Sequence, residues 1–200
     1  MEDKDKIILD LCGGTGSWSA PYKKAGYDVR IITLPDYDVR TYQPPDNVYG
    51  ILAAPPCTHF SIACAPLWHE KDINGQTAEA LEIVRACLRI VEQCKPTLKF
   101  WALENPRGRL HKFIGAPTYK FNQSDFGAPY FKPTWLWGDF NFLLVQGPIN
   151  DHPIRLDTAC GANLYDLPED YNLNIDHCKR AAQRSIYPPA FCQAFFEANR

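Results

Sequence analysis

Short apolar runs bounded by glycine or proline recur along the first half of the chain. They occupy residues 6–11, 27–34, 48–54 and 98–105. Runs of this length that are rich in β-branched residues are typical of buried strands. The pattern therefore predicts four strands of one sheet, the first of which (KIILDL) leads directly into the glycine-rich segment CGGTGSWS.

Helical patterns alternate with these strands. Residues 77–94 repeat apolar positions at spacings of three and four, as expected for a helix that lies on a sheet. Residues 17–26 are predicted to form a helix that ends at Gly26, and residues 188–200 a short closing helix. The alternation indicates an α/β fold, which we predict to be a doubly wound, mostly parallel sheet.

The last third of the chain has weaker periodicity. Residues 126–144 alternate in places and predict a hairpin or an added strand pair, whereas residues 145–180 are predicted to be irregular. Between the second and third strands the loop PDYDVRTYQPPD is too short for a full crossover helix. We therefore expect a sheet domain followed by a smaller irregular region.

The composition fits a single domain with an apolar core, since 46% of the 200 residues are hydrophobic. No apolar run is long enough to span a membrane, and the charged first residues do not resemble a secretory signal. We therefore expect a cytoplasmic protein without a membrane partner. Because the net charge is −2, positive charge is concentrated only locally, from Lys95 to Lys120 and from Lys179 to Arg184.

Eight cysteines are present, but they form no CxxC pair. Without a secretory signal, a disulfide framework is not expected. No metal is predicted either, because no familiar zinc spacing occurs in the C-terminal set His152, Cys160, His177 and Cys178. Most of the cysteines are expected to be small buried apolar side chains.

The segment GILAAPPCTHFS sets Cys57 apart from the other cysteines. Proline fixes φ and extends the residue before it, so Pro55 and Pro56 give this thiol little freedom at the end of a buried strand. A buried structural cysteine is the alternative, but a rigidly aimed thiol suits a nucleophile. A thiolate also needs nearby positive charge or a partner base, which His59 could supply.

Two acidic residues end predicted strands. Glu104 in ALENP follows four apolar residues, so partial burial would raise its pKa, and the alternative is a solvated or capping glutamate. Asp10 precedes the loop Gly13–Gly16, which is either a cofactor loop or a plain turn and lacks the lysine of a phosphate-binding loop. Ligands of such sheets bind outside the carboxyl ends of the strands, where the loop, Cys57 and Glu104 all fall.

In chain order these segments resemble the motifs of the cytosine-C5 DNA methyltransferases, especially small phage-encoded members. DLCGGTGSWS resembles the first motif, and PDYDV resembles the motif that contacts the adenine ring, through Asp38 and Val39. PPCTHFS is similar to the nucleophile motif with Cys57, and ENP to the ENV motif with Glu104. DFGAPYFKPT resembles the YGxPQxRxR motif, with Lys132 on its first arginine.

The resemblance implies a Rossmann-like fold that binds S-adenosylmethionine (AdoMet) and methylates C5 of cytosine in DNA. Cys57 would attack C6, Glu104 would protonate N3 and Lys132 would steady O2, on a base that is flipped or already single-stranded. RSIYPPAFCQAF is similar to the closing motif GNSVPPxxA. The residues implied in cofactor binding are Asp10, Cys12, Gly13, Gly14, Gly16, Trp18, Thr33, Asp38, Val39, Pro55 and Ser185.

The same resemblance divides the chain into three parts. Residues 1–138 would form the catalytic AdoMet-binding domain, residues 139–180 a reduced target-recognition region, and residues 181–200 a segment that returns to the catalytic domain. It further implies DNA as the partner, a monomeric state, and the cytoplasm as location, that of the host cell if the chain is phage-encoded.

The chain departs from the family at several positions. Cys12 replaces a phenylalanine, Ser17 a glycine and Thr33 the acidic residue that binds ribose, while Lys132 stands for two arginines. Alternatives therefore stay open: the scaffold could act on RNA or a free nucleotide, or transfer another group. Thymidylate synthases also carry a PPC nucleophile, although the glycine loop argues against that fold. A non-catalytic DNA- or cofactor-binding relic that needs a partner for specificity is the last alternative.

Overall fold

The computed structural model describes residues 3–141 and 186–200. Its helical elements are α1 (Ala20–Lys24), α2 (Trp68–Ile73), α3 (Gln76–Cys94), α4 (His111–Ile114) and α5 (Pro189–Ala198), with 3-10 turns at Asp3–Asp5, Ile62–Leu67 and Gln123–Phe126. Its strands are β1 (Ile7–Leu11), β2 (Asp28–Ile32), β3 (Val48–Ala53), β4 (Phe100–Pro106), β5 (Tyr119–Asn122) and β6 (Pro133–Asp139). The described residues thus form an α/β structure.

One six-stranded sheet of order β2-β1-β3-β4-β6-β5 organises the described residues. The first four of these strands run parallel, whereas β6 is antiparallel to both β4 and β5. The sheet is therefore mixed. Because β6 is antiparallel to its neighbours at one edge, the sheet does not by itself establish the predicted doubly wound fold. The four strands predicted from apolar runs are confirmed as β1 to β4.

The predicted strand pair within 126–144 is only half right. β6 lies inside this range, but its partner is β5, which comes earlier at Tyr119–Asn122. With four residues, a single buried side chain and a charged neighbour, β5 carries no apolar run that a sequence pattern could detect.

Each face of the sheet is covered by a separate buried cluster. On one face, α3 packs against Leu9 and its odd-numbered neighbours in β1. On the other face, α1 and α5 pack against Ile8 of β1 and Ala102 of β4. Because side chains alternate along a strand, Asp10 and Glu104 point to the face that α1 and α5 cover.

The first helix is shorter than the 17–26 that the sequence predicts. Ser19 stands at its start but does not cap it, because the hydroxyl donates to Oδ2 of Asp10 (2.5 Å) instead. The helix ends at Lys24, and Gly26, which is predicted to stop it, follows the C-cap residue Ala25 with φ of 94°. α2 and α4 are not predicted, since elements of six and four residues are too short to set up a periodic pattern.

Several predictions concern residues outside the described part of the chain. These are the end of the predicted strand pair, the irregular region 145–180, most of the recognition region 139–180, the basic stretch from Lys179, the four residues considered for zinc, and Ser185. The described helices include none that is both long and apolar enough to cross a bilayer.

Gly50 in β3 is required by the close approach of a ring from β4. A Cβ atom at this position would lie 2.2 Å from Cζ of Phe100. Phe100 is itself buried and stacks on Tyr22, with ring centroids 5.6 Å apart, so it cannot move aside freely.

We predict that Gly50→Ala lowers the free energy of unfolding by about 1–3 kcal/mol, because the added methyl overpacks this contact. Urea denaturation measures the change. Phe100→Leu in the Gly50→Ala background should cost less than the sum of the two single changes, since it removes the clashing atoms. Strictly additive costs would show that the contact is not the cause.

Candidate functional site

The candidate residues collect at the carboxyl ends of β1, β3 and β4. In the sheet, β1 lies between β2 and β3. The chain therefore passes from β1 to β2 on one side and then crosses to β3 on the other side of β1. Such a reversal of strand order opens a crevice at the carboxyl edge of a parallel sheet, where ligands bind. The Gly13–Gly16 loop follows β1, Cys57 follows β3, and Glu104 lies near the end of β4.

The glycine-rich loop folds back over the side chain of Asp10. The backbone N–H of Gly16 donates to the carbonyl of Gly13 (2.9 Å), which closes a tight turn. A Cβ atom on Gly13 would lie 2.2 Å from Oδ1 of Asp10, so only glycine fits there. Cys12 takes a φ of 58°, a left-handed conformation that non-glycine residues rarely adopt. The loop backbone is thereby held against a carboxyl group.

Asp10 is fully buried, with 0% of its surface exposed. Burial raises its pKa to about 6, and the hydrogen bond from Ser19 opposes part of that rise. Oδ2 accepts this bond, whereas Oδ1 has no partner within the described residues. The site therefore contains a buried acceptor that a ligand donor could satisfy.

Cys57 begins a tight turn whose backbone is held from several sides. The backbone N–H groups of Phe60 and Ser61 both donate to the carbonyl of Cys57 (3.0 and 2.9 Å). The buried Asn105 of β4 donates through Nδ2 to the carbonyl of Pro55 (3.0 Å). Cys57 itself is only partly buried. The loop is thus rigid around a thiol that is not enclosed in the core.

Arg109 holds the other end of this loop. Its Nε donates to the carbonyl of His59 (2.9 Å), and its backbone N–H donates to the carbonyl of Phe60 (2.8 Å). The other guanidinium nitrogens donate to Asp72 and Thr77, each at 2.8 Å. In the sequence Arg109 is one of several basic residues between positions 107 and 112, so no spacing indicates this role.

The surroundings of His59 favour its neutral form. Burial lowers its pKa, and the positive charges of Lys71 and Arg109 lower it further. Nδ1 is buried and has no hydrogen-bond partner among the described residues. The lowered pKa of His59 favours the role of a neutral base over that of a positive charge beside a thiolate.

Glu104 is buried at the end of β4, with 5% of its surface exposed. Burial raises its pKa, while Lys132 and a hydrogen bond from Tyr187 act in the opposite direction. The Tyr187 hydroxyl donates to Oε2 (2.7 Å), and Oε1 has no partner within the described residues. Nζ of Lys132 lies 5.8 Å from the ring centroid of Tyr187. The predicted burial of Glu104 is confirmed, and Lys132 lies in its neighbourhood.

The side chains of several predicted cofactor residues are engaged within the protein itself. Trp18 is 1% exposed and lies in the aromatic cluster under α5, and Val39 is buried with the residues of α3. The carboxylate of Asp38 accepts hydrogen bonds from the backbone and guanidinium of Arg40, which lower its pKa. Thr33 follows β2 and is partly exposed.

The positive stretch from Lys95 to Lys120 does not form one surface. Lys95 and Lys99 precede β4 and Arg107 follows it, so a strand of seven residues, about 23 Å long at 3.3 Å per residue, separates them. Arg109 is buried in the contacts described above. Arg107, directly after β4, and Lys112 of α4 are exposed.

Comparisons with known proteins assign no family to this arrangement: no family model matches the sequence, and no curated protein matches it. The predicted site residues that the structure brings to the carboxyl edge are Asp10, Cys12, Gly13, Gly14, Gly16, Pro55, Cys57, Glu104 and Lys132. Asn105, Arg109 and Tyr187 join them without having been predicted.

We predict that Asp10→Asn flattens the dependence of stability on pH between about 4 and 6. The pKa of Asp10 is about 6 in the folded protein against an ordinary value of 3.8. The folded state therefore binds more protons in this window, so the free energy of unfolding falls as pH rises. The shift corresponds to about 3 kcal/mol at pH 7.

Urea denaturation of both proteins from pH 4 to 7 measures this difference. The wild type should lose stability through the window, and Asp10→Asn should lose less. Glu104, whose pKa is raised as well, keeps its own part of the slope in the variant. Identical slopes would show that Asp10 titrates normally.

Arg109→Ala should lower the free energy of unfolding by about 2–4 kcal/mol, because it removes a buried side chain that bonds the buried Thr77 hydroxyl and the loop carbonyl of His59. Arg85→Ala is the matched control, since Arg85 forms an exposed pair with Glu82 that is worth less than about 1 kcal/mol. Urea denaturation compares them. Equal losses would mean that Arg109 does not fix the loop.

Proposed function

We propose that this chain transfers a methyl group from AdoMet to C5 of cytosine in DNA, through a covalent adduct between Cys57 and C6. One observation carries the proposal: the rigid loop of Cys57 is tied by Asn105 to the strand end where Glu104 is buried. A nucleophile and an acid on neighbouring strand ends suit a reaction on one flat ring. The α/β sheet is compatible with the Rossmann-like fold that such enzymes use.

Cys57 would act as the nucleophile. Its thiolate forms a bond to C6 of the cytosine, and the electrons of the C5–C6 double bond move into the ring. Glu104 donates a proton to N3, which neutralises the charge that develops there. Burial raises the pKa of Glu104, so this carboxyl is better able to hold a proton near neutrality than an exposed glutamate. Lys132 would stabilise negative charge at O2.

Methyl transfer and elimination of Cys57 complete the proposed reaction. When bound, AdoMet would supply an electrophilic methyl group to the nucleophilic C5 and would leave as the neutral thioether S-adenosylhomocysteine. The C5 proton is then lost to solvent, the bond between sulfur and C6 breaks, and the thiolate of Cys57 leaves. Glu104 takes back the proton from N3, so the protein ends in its starting protonation state.

The residues at the end of β1 fit the amino-acid part of AdoMet. Oδ1 of Asp10 is a buried acceptor without a partner in the described chain, and an ammonium group is a donor that would satisfy it. Gly14 and Gly16, at φ of 53° and 68°, keep side chains out of the loop. Roles for Trp18, Thr33, Asp38, Val39, Pro55 and Ser185 follow from the family resemblance, and those of Asp38 and Val39 require rearrangement of the contacts that now engage them.

DNA containing 5-fluorocytosine tests the proposal, because fluorine at C5 blocks release and traps the adduct. With AdoMet present, the wild type should form a stable protein–DNA adduct that electrophoresis detects. Cys57→Ser should form none, and Glu104→Gln should form it about 10²- to 10⁴-fold more slowly. Cys64→Ala, in the same segment, is the matched control and should react like the wild type.

Mass analysis of nucleosides after incubation with labelled AdoMet identifies the substrate. Label on 5-methylcytosine in DNA supports the proposal. Label that appears only in RNA or in a free nucleotide, or a transferred group other than methyl, would replace the DNA assignment. No transfer to any of these and no adduct would favour a non-catalytic binding protein.

A further inference from the structure

Tyr187 is the residue through which the C-terminal segment reaches both halves of the candidate site. Its hydroxyl donates to Oε2 of Glu104 (2.7 Å), and its backbone N–H donates to Oγ of Ser17 in the glycine-rich loop (3.2 Å). Its ring packs on Trp18, with centroids 5.1 Å apart. With 6% of its surface exposed, Tyr187 is fixed between the loop and the acid.

The helix that follows anchors this tyrosine. Tyr187 stands two residues before α5, whose Phe191 stacks on Phe121 of β5 with centroids 4.8 Å apart and also contacts Phe126. The ring of Tyr187 lies 5.6 Å from that of Phe191. The hydroxyl is thus held by a packed aromatic cluster, and its contact with Glu104 does not depend on a mobile side chain.

We propose that Tyr187 is a positioning residue for Glu104, which orients the carboxyl so that Oε1 carries the proton to the target base. The inference rests on the proposed function. It follows from the geometry of the hydrogen bond: because Oε2 accepts from the tyrosine hydroxyl, the proton of the neutral acid belongs on Oε1. That oxygen is buried and has no partner within the described residues, so it is free to donate.

The charged and titratable groups around the pair keep the hydroxyl a donor. Lys132 faces Glu104 from the segment before β6, while Asp10 of β1 and Cys192 of α5 face Tyr187. Burial and the two carboxyls raise the pKa of Tyr187 well above its ordinary value. The tyrosine therefore stays protonated near neutral pH, and its hydrogen bond favours the ionised form of Glu104.

Removal of the hydroxyl should have two separable effects. The carboxyl loses the contact that fixes its rotation, so the proton is delivered less efficiently. It also loses the hydrogen bond that lowers its pKa, so Glu104 stays protonated to a higher pH. The limb of the pH–rate profile that reports loss of the proton from Glu104 should therefore move to higher pH.

Tyr187→Phe tests this in the full chain, with Tyr22→Phe as the matched control. Tyr22 is buried in the same aromatic cluster, but its hydroxyl contacts the carbonyl of Asn199 and not Glu104. Tyr187→Phe should lower kcat by about 10- to 100-fold and change KM for DNA by less than about 2-fold. Its Glu104 limb should shift upward, whereas Tyr22→Phe should keep the wild-type profile.

Two further measurements separate positioning from loss of structure. In a Glu104→Gln background, Tyr187→Phe should add less than about a 2-fold effect, because the two residues act as one unit. Carbon-13 NMR of labelled glutamate carboxyls should show the Glu104 titration move to higher pH in Tyr187→Phe alone. This readout does not need turnover.

The outcomes distinguish the two proposals. A wild type that forms no adduct and transfers no methyl group overturns the proposed function and this inference with it. An active wild type whose Tyr187→Phe variant keeps kcat, the pH profile and the Glu104 titration overturns the inference alone. Equal losses in Tyr187→Phe and Tyr22→Phe would also overturn it, since they would reflect the packing of the cluster.

Discussion

Burial of two carboxyl groups on one face of the sheet is the constraint around which this site is built. Asp10 and Glu104 point to the same face because each shares the parity of buried apolar neighbours in its strand. Each has one oxygen that accepts a side-chain hydroxyl and one without a partner in the described chain. Single neutral hydrogen bonds do not offset the loss of hydration, so the pKa of both groups is raised. Such a cost to stability is typical of functional sites.

The residues that supply these hydroxyls stand next to α1 and α5, the two helices that cover this face of the sheet. Ser19 stands at the start of α1, and its hydroxyl donates to Asp10 instead of capping the helix. Tyr187 stands before α5 and bonds Glu104 from 83 positions away in the chain. α1 and α5 contact each other through aromatic rings, as in the edge-on pair of Tyr22 and Phe196. One apolar cluster therefore sets the geometry of both acids.

The sequence predicts the parts of this arrangement that depend on local pattern. The apolar runs locate β1, β3 and β4, and the lead-in FWAL correctly indicates that Glu104 is buried. β5 escapes detection because four residues carry no periodic signal. Arg109 is counted with the surface charges because only tertiary packing brings His59, Asp72 and Thr77 around it. The hydrogen bond from Tyr187 to Glu104 could not be predicted either, since nothing local in RSIYPPAFCQAF indicates a contact with β4.

The loop that carries Cys57 is a connecting segment, yet its position relative to β4 is fixed by a hydrogen bond. Pro55 and Pro56 restrict its backbone locally, but proline fixes only φ and does not place the loop relative to the acid. Asn105 supplies that placement, because it is adjacent to Glu104 in β4 and bonds the carbonyl of Pro55. A shift of the thiol loop away from β4 must therefore break a buried hydrogen bond. The loop of Cys57 and the buried Glu104 are thus tied to the same strand, which under the proposed function is the condition for two side chains to act on a single ring.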